Sequence, residues 1–141
     1  MEIKNINVDS DYPLGEKRKE WLKTSTGKTL DDITLEKVLN GEVKPEDIRI
    51  SPETLKLQGE IAKQGNRPTV NANFERASEL VAIPDDRILE IYNALRPYRS
   101  SREELLAIAK ELETKYSATV NAEFLREAAE IYEKRSKLRK S

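Results

Sequence analysis

The sequence predicts an all-α protein: a compact helical domain of two helical hairpins bridged by a central helix, with a mostly irregular N-terminal arm. Three observations predict it. Apolar residues recur at spacings of three and four over most of the chain after residue 50. Capping residues, prolines and glycines fall where such stretches should start and stop. A set of residues also repeats at an offset of fifty: Ser51, Glu53 and Leu55 match Ser101, Glu103 and Leu105, while Thr69-Val70-Asn71-Ala72, Phe74 and Arg76 match Thr119-Val120-Asn121-Ala122, Phe124 and Arg126. Residues 1–30 are expected to form the arm and residues 31–141 a single helical domain.

In the arm, Ile3, Ile6 and Val8 alternate as in a short extended segment. Tyr12-Pro13-Leu14-Gly15 reads as a turn, and Trp21-Leu22 follows a charged run. This arm has too few apolar residues for its own core. Tyr12, Leu14, Trp21 and Leu22 are therefore expected to pack on the helical body or on another chain, and aromatic anchors are enriched at interfaces. Tyr98, at the end of the central stretch, joins them as a candidate contact residue. Ser25-Thr26-Gly27-Lys28-Thr29 resembles a phosphate loop, but Leu22 stands where that motif needs its first glycine, and no apolar strand leads in. An ordinary turn is expected.

Thr34 can cap a short helix carrying Leu35, Val38 and Leu39, with Gly41 beyond its end. Ser51-Pro52-Glu53 has the cap, the proline and the acid of a helix start. This helix, 51–64, should present Leu55, Gln58 and Ala62, flanked by Leu57 and Ile61. A second, 71–81, should turn Phe74, Ala77, Leu80 and Val81 inward. Pro84 suits a first helical position, followed by Asp85 and Asp86 at the positive helix end. Ile88, Leu89, Tyr92 and Leu95 then form the stripe predicted to bury the central helix, which Pro97 stops. Helices 101–116 and 121–135 repeat the hairpin, with Leu105, Ile108, Ala109, Leu112 and Tyr116 inward on the first, and Phe124, Ala128, Ile131 and Tyr132 on the second.

Composition narrows the function. Of 141 residues, none is histidine or cysteine, which removes the usual nucleophile–base pairs and the commonest soft metal ligands. Asp85-Asp86 and Glu103-Glu104 are explained by helix starts. Net charge is -1, with 25 basic residues offset by 26 acidic ones spread along the chain, so no face is kept clear for nucleic acid despite the basic ending Lys134, Arg135, Lys137, Arg139, Lys140. No apolar run has membrane-spanning length. The residues alone point to a soluble, cytoplasmic accessory or interaction protein. The competing classes are a stand-alone helical adaptor and a nucleic-acid-binding protein.

The chain resembles the small (gamma) subunit of adenosylcobalamin-dependent glycerol and diol dehydratases. The resemblance is carried by Asp11-Tyr12-Pro13-Leu14, Asp47-Ile48-Arg49-Ile50-Ser51, Ile83-Pro84-Asp85 and Ile91-Tyr92-Asn93-Ala94-Leu95-Arg96-Pro97, and it extends to Lys137-Leu138-Arg139-Lys140. It implies a partner set of large (alpha) and medium (beta) subunits in a dimer of heterotrimers. It also implies an adenosylcobalamin cofactor and a metal ion in the holoenzyme, with none expected on this chain. The implied reaction converts glycerol to 3-hydroxypropionaldehyde, or propane-1,2-diol to propionaldehyde, with loss of water by radical chemistry on the large subunit. No catalytic, cofactor-binding or metal residue is carried over to this chain. Relatives that resemble microcompartment cargo carry a longer, alanine-rich leader before the aspartate-tyrosine-proline-leucine phrase. Only ten residues precede Asp11 here, so the expectation is a glycerol dehydratase-like member, with encapsulation less favoured.

Overall fold

A computed structural model describes residues 5–140. They form eight α-helices, three 3-10 turns and, in place of a sheet, two isolated antiparallel bridges. The chain divides into two compact units, Met1–Val81 and Ala82–Ser141.

In the first unit, helices α1 (Val8–Asp11) and α2 (Leu14–Lys17) are single turns, joined through a cis Tyr12–Pro13 bond and followed by a 3-10 turn, Lys19–Trp21. Of the expected extended segment, Val8 lies in α1, and Asn7 is extended but caps that helix, because its side chain accepts the N–H of Asp9. Ile3 lies outside the described residues. Ser25–Lys28 is a turn with Gly27 at positive φ, and Thr26 donates its hydroxyl to Asp47. Two further 3-10 turns, Leu30–Asp32 and Pro45–Ile48, bracket α3 (Leu35–Leu39).

A hairpin follows, of α4 (Pro52–Gln64) and α5 (Pro68–Leu80). Ser51 caps α4 as expected, whereas α5 starts three residues ahead of Asn71 because Pro68 takes its first turn. The burial pattern of α4 is wider than the single predicted face. Leu55, Leu57, Gly59 and Ile61 are buried and Gln58 and Ala62 only half-buried, since the helix is covered from two sides. Ile6 and Leu14 pack with Leu57 and Ile61, and Val8, Trp21 and Leu22 close around them. Gln64 extends this seam by donating to the carbonyl of Ile6 and accepting from the N–H of Val8. Leu14, Trp21 and Leu22 of the arm thus pack on the helical body, one of the two places expected for them, in a core shared with α4. On the other side α5 crosses near Gly59, where a Cβ would lie 2.7 Å from the Asn71 side-chain oxygen and 3.2 Å from the Cβ of Phe74.

The second unit holds α6 (Asp85–Ala94), α7 (Arg102–Tyr116) and α8 (Thr119–Lys134). Pro84 is the residue before the helix rather than its first: its ψ of 142° is extended, and its carbonyl accepts the N–H of Ile88. The stripe of α6 is also rotated from the predicted one. Ile91 is buried, Ile88 and Leu95 are half-buried, and Leu89 and Tyr92 are exposed. Polar contacts set that rotation. Arg87 forms a two-pronged pair with Glu111 of α7, and the Tyr132 hydroxyl of α8 donates to the carbonyl of Leu95. A face centred on Ile91 satisfies both.

Helix α7 buries Leu105, Ala109 and Leu112 as expected, behind a capping box of Ser101 and Glu104. Helix α8 departs from expectation. It buries Asn121, Ala122, Leu125 and Ala129, while Phe124 and Ile131 stay exposed. Alanines at 109, 118, 122 and 129, all without exposed surface, allow a close hairpin that larger side chains would prop apart.

Candidate functional site

The residues proposed for contact fall in different places. Leu14 is core, and Trp21 and Leu22 pack against the same cluster, so these three are occupied within the chain. The Arg18 guanidinium also stacks 5.2 Å above the Trp21 ring. Tyr12 faces outward on an open groove of about 500 Å³ lined also by Val8, Leu14, Ile61, Val70 and Phe74. Tyr98 is exposed in the second unit with φ +67°, a backbone shape that side chains other than glycine seldom take. Its N–H donates to the carbonyl of Lys137, and Lys137 donates to its hydroxyl. Four of the five candidates thus belong to the first unit, where Leu14, Trp21 and Leu22 share one cluster, and Tyr98 belongs to the second.

The carboxylates explain how these surfaces are held. Asp11 is buried, accepting the N–H of Asn7 at 2.7 Å and the Arg18 Nε at 2.8 Å. The Asn7 amide first, with Ser10 and Arg18 adding to it, holds its carboxyl below the usual range against the opposing effect of burial. Asp32 accepts the N–H and hydroxyl of Thr29 and the ammonium of Lys37 at 3.3 Å, and its pKa falls to about 2. Asp47 is lowered chiefly by the backbone N–H of Lys44 and then by the Thr26 hydroxyl. In the second unit Glu104 accepts the Ser101 N–H and the Arg139 guanidinium, which together lower it. Arg139 also reaches the carbonyl of Arg99, so part of the basic ending is spent on tying the last residues to the α6–α7 connection.

A further set of exposed apolar side chains lies on α3. Leu35 and Leu39 are 75% and 78% exposed, and Val38 is exposed beside them. The sequence announces this helix through Thr34 and Gly41 and places Leu35, Val38 and Leu39 on it without assigning the side that faces the chain. The polar pairing of Lys37 with Asp32, five residues earlier, turns the other side of the helix toward the chain.

No group of three or more carboxylates that could hold a metal ion occurs among the described residues, and the full sequence offers no imidazole or thiol. No helix among the described residues is long and apolar enough to cross a membrane.

Comparison with known proteins gives this arrangement its context. Residues 7–139 match the family described as "Dehydratase small subunit". The chain is 62% identical over 130 residues to the propanediol dehydratase small subunit of Salmonella typhimurium strain LT2, covering 92% of this chain and 75% of that protein. It is 61% identical over 130 residues to the propanediol dehydratase small subunit of Citrobacter freundii, covering 92% and 76%. Most of the arm, the α3 segment and both hairpins fall within the matched residues, and the chain belongs to the dehydratase small subunit family.

Proposed function

We propose that this chain is a non-catalytic subunit that supports assembly of an adenosylcobalamin-dependent dehydratase acting on propane-1,2-diol or glycerol. One observation carries the reading: the match to dehydratase small subunits runs through residues 7–139, including both hairpins and most of the arm. The composition supports it: the sequence has no histidine or cysteine, and the described residues gather no three carboxylates that could hold a metal ion. Adenosylcobalamin, bound on partner subunits, would supply the radical that starts the dehydration; this chain's residues bind neighbours and hold them in register. The partners are a large and a medium subunit, assembled with this one as a dimer of heterotrimers in the cytoplasm. The names of the two relatives favour propane-1,2-diol as a substrate, and glycerol is the second to assay.

The test mixes purified large and medium subunits with adenosylcobalamin and either substrate, then titrates in this chain. Activity should rise and saturate at one small chain per large chain. Full and stable activity without it, or turnover by this chain alone, would overturn the reading. Deleting residues 1–24 should weaken assembly by loosening α4, whose Leu57 and Ile61 they cover.

A further inference from the structure

We propose that the apolar face of α3 docks on a larger subunit of the dehydratase, in an apolar groove flanked by basic side chains. This rests on the subunit reading above and adds the surface and the chemistry of its partner. Helix α3 is built inside out. It buries none of its own residues, yet Leu35, Val38 and Leu39 stand at the spacing of a core-facing stripe. Its polar Lys37 is the side chain turned toward the chain, onto Asp32. The element is nevertheless well anchored. Thr34 accepts the N–H of Lys37 at the helix start, Thr29 and Asp32 form a capping box ahead of it, and the Lys37 carbonyl accepts the N–H of buried Val43. A short helix fixed by polar contacts, with its leucines outward, presents a surface already shaped for a partner, with little left to order on binding.

Charge identifies the occupant. Leu35 and Leu39 line a shallow depression together with Glu36 and Asn40. Asn40 donates to Glu42 at 2.7 Å, which sets a second carboxylate at the same border. Residues 31–48 as a whole carry six carboxylates and two lysines. A second copy docking here would bring carboxylates against carboxylates, and an anionic membrane surface would be repelled. An apolar groove with a basic rim on a protein partner matches both features.

The experiment uses the full chain and the purified large–medium complex, with affinity measured by surface binding at several salt concentrations. The double variant Leu35→Ser with Leu39→Ser should keep its circular dichroism and melting temperature, because both positions are exposed. It should bind about 30-fold more weakly, the size of a lost interfacial anchor. Glu36→Lys with Glu42→Lys should weaken binding about tenfold at low salt, and the deficit should shrink as salt rises. Tyr92→Ser, at an exposed position of the second unit, should bind like the parent. If the parent binds and the leucine variant binds equally well, the α3 surface is wrong while the subunit reading stands. If the parent does not bind, both fall. Self-association or vesicle binding that the leucine variant abolishes would overturn the proposal in favour of a second copy or a membrane.

Discussion

The two hairpins share nine identical residues at an offset of fifty, yet they are packed to different depths. Ala72 is exposed while Ala122, its counterpart, has no exposed surface. Helix α5 buries only Ser78, whereas α8 buries four residues. Two substitutions account for the difference. Leu125 anchors α8, but the equivalent position of α5 is Glu75, which stays in solvent and accepts from Asn71. Ala109 fills the α7–α8 crossing, while Gly59 leaves the α4–α5 crossing just wide enough for Asn71 and Phe74. The first hairpin makes up the deficit with the arm, whose Ile6 and Leu14 complete the cover of α4. A repeated phrase therefore specifies a hairpin, and the residues between the repeated ones decide how deeply it is embedded.

The largest expected effect is at the paired leucines. Leu105 has no exposed surface and Leu55 is 9% exposed, so Leu105→Ala should cost about 3–5 kcal/mol and Leu55→Ala about 2–3 kcal/mol. Urea denaturation of the full chain measures both, and equal losses would break the contrast in depth.

Next is the exchange at the crossings. Gly59→Ala adds a methyl 3.2 Å from the Phe74 Cβ, a contact that no side-chain rotation relieves. Overpacking should outweigh the better helix propensity of alanine and leave a net loss of about 1 kcal/mol. Ala109→Gly should lose about 1 kcal/mol for the opposite reason, through propensity and a small void. A more stable Gly59→Ala chain would show that Gly59 does not limit the approach of α5.

The ion pair between α6 and α7 is of the same order. Glu111→Gln should lower stability by about 1 kcal/mol, because both partners are mostly covered and Arg87 would meet a neutral acceptor on α7 while keeping the exposed Glu90 carboxylate on its own helix. By contrast Leu95→Ala, at a half-buried site, should cost about 1–2 kcal/mol rather than the loss of a fully buried leucine. Matching melting temperatures for parent and Glu111→Gln would remove this pair from the account of how α6 is rotated.

The smallest effect is local and depends on pH. Folding lowers the pKa of Asp11, Asp32 and Asp47, so their contribution is fully present above the unfolded carboxylate range near 4. It is lost as pH falls through the folded values, for Asp32 between about 4 and about 2. Backbone NMR should show residues 7–47 changing in that window before the α7–α8 hairpin, which alanine and leucine hold. An acid transition of residues 7–47 left unmoved by Asp32→Asn would mean that this carboxylate does not govern the first unit.

Much of the fold was legible in the sequence because local chemistry writes it locally. Ser51 and Ser101 cap the helices that their positions announce, and Leu105, Ala109 and Leu112 face inward at the spacing that a helix dictates. The family, too, was carried by the linear order of residues. What only the tertiary structure decided is rotation and cover. A helix with apolar residues on most of its surface can turn any of them inward, and distant partners chose the outcome: Glu111 and Tyr132 for α6, Asp32 for α3. The arm found its core in the same way, because a cluster of Ile6, Leu14, Leu57 and Ile61 joins residues too far apart in the chain for any periodicity to connect.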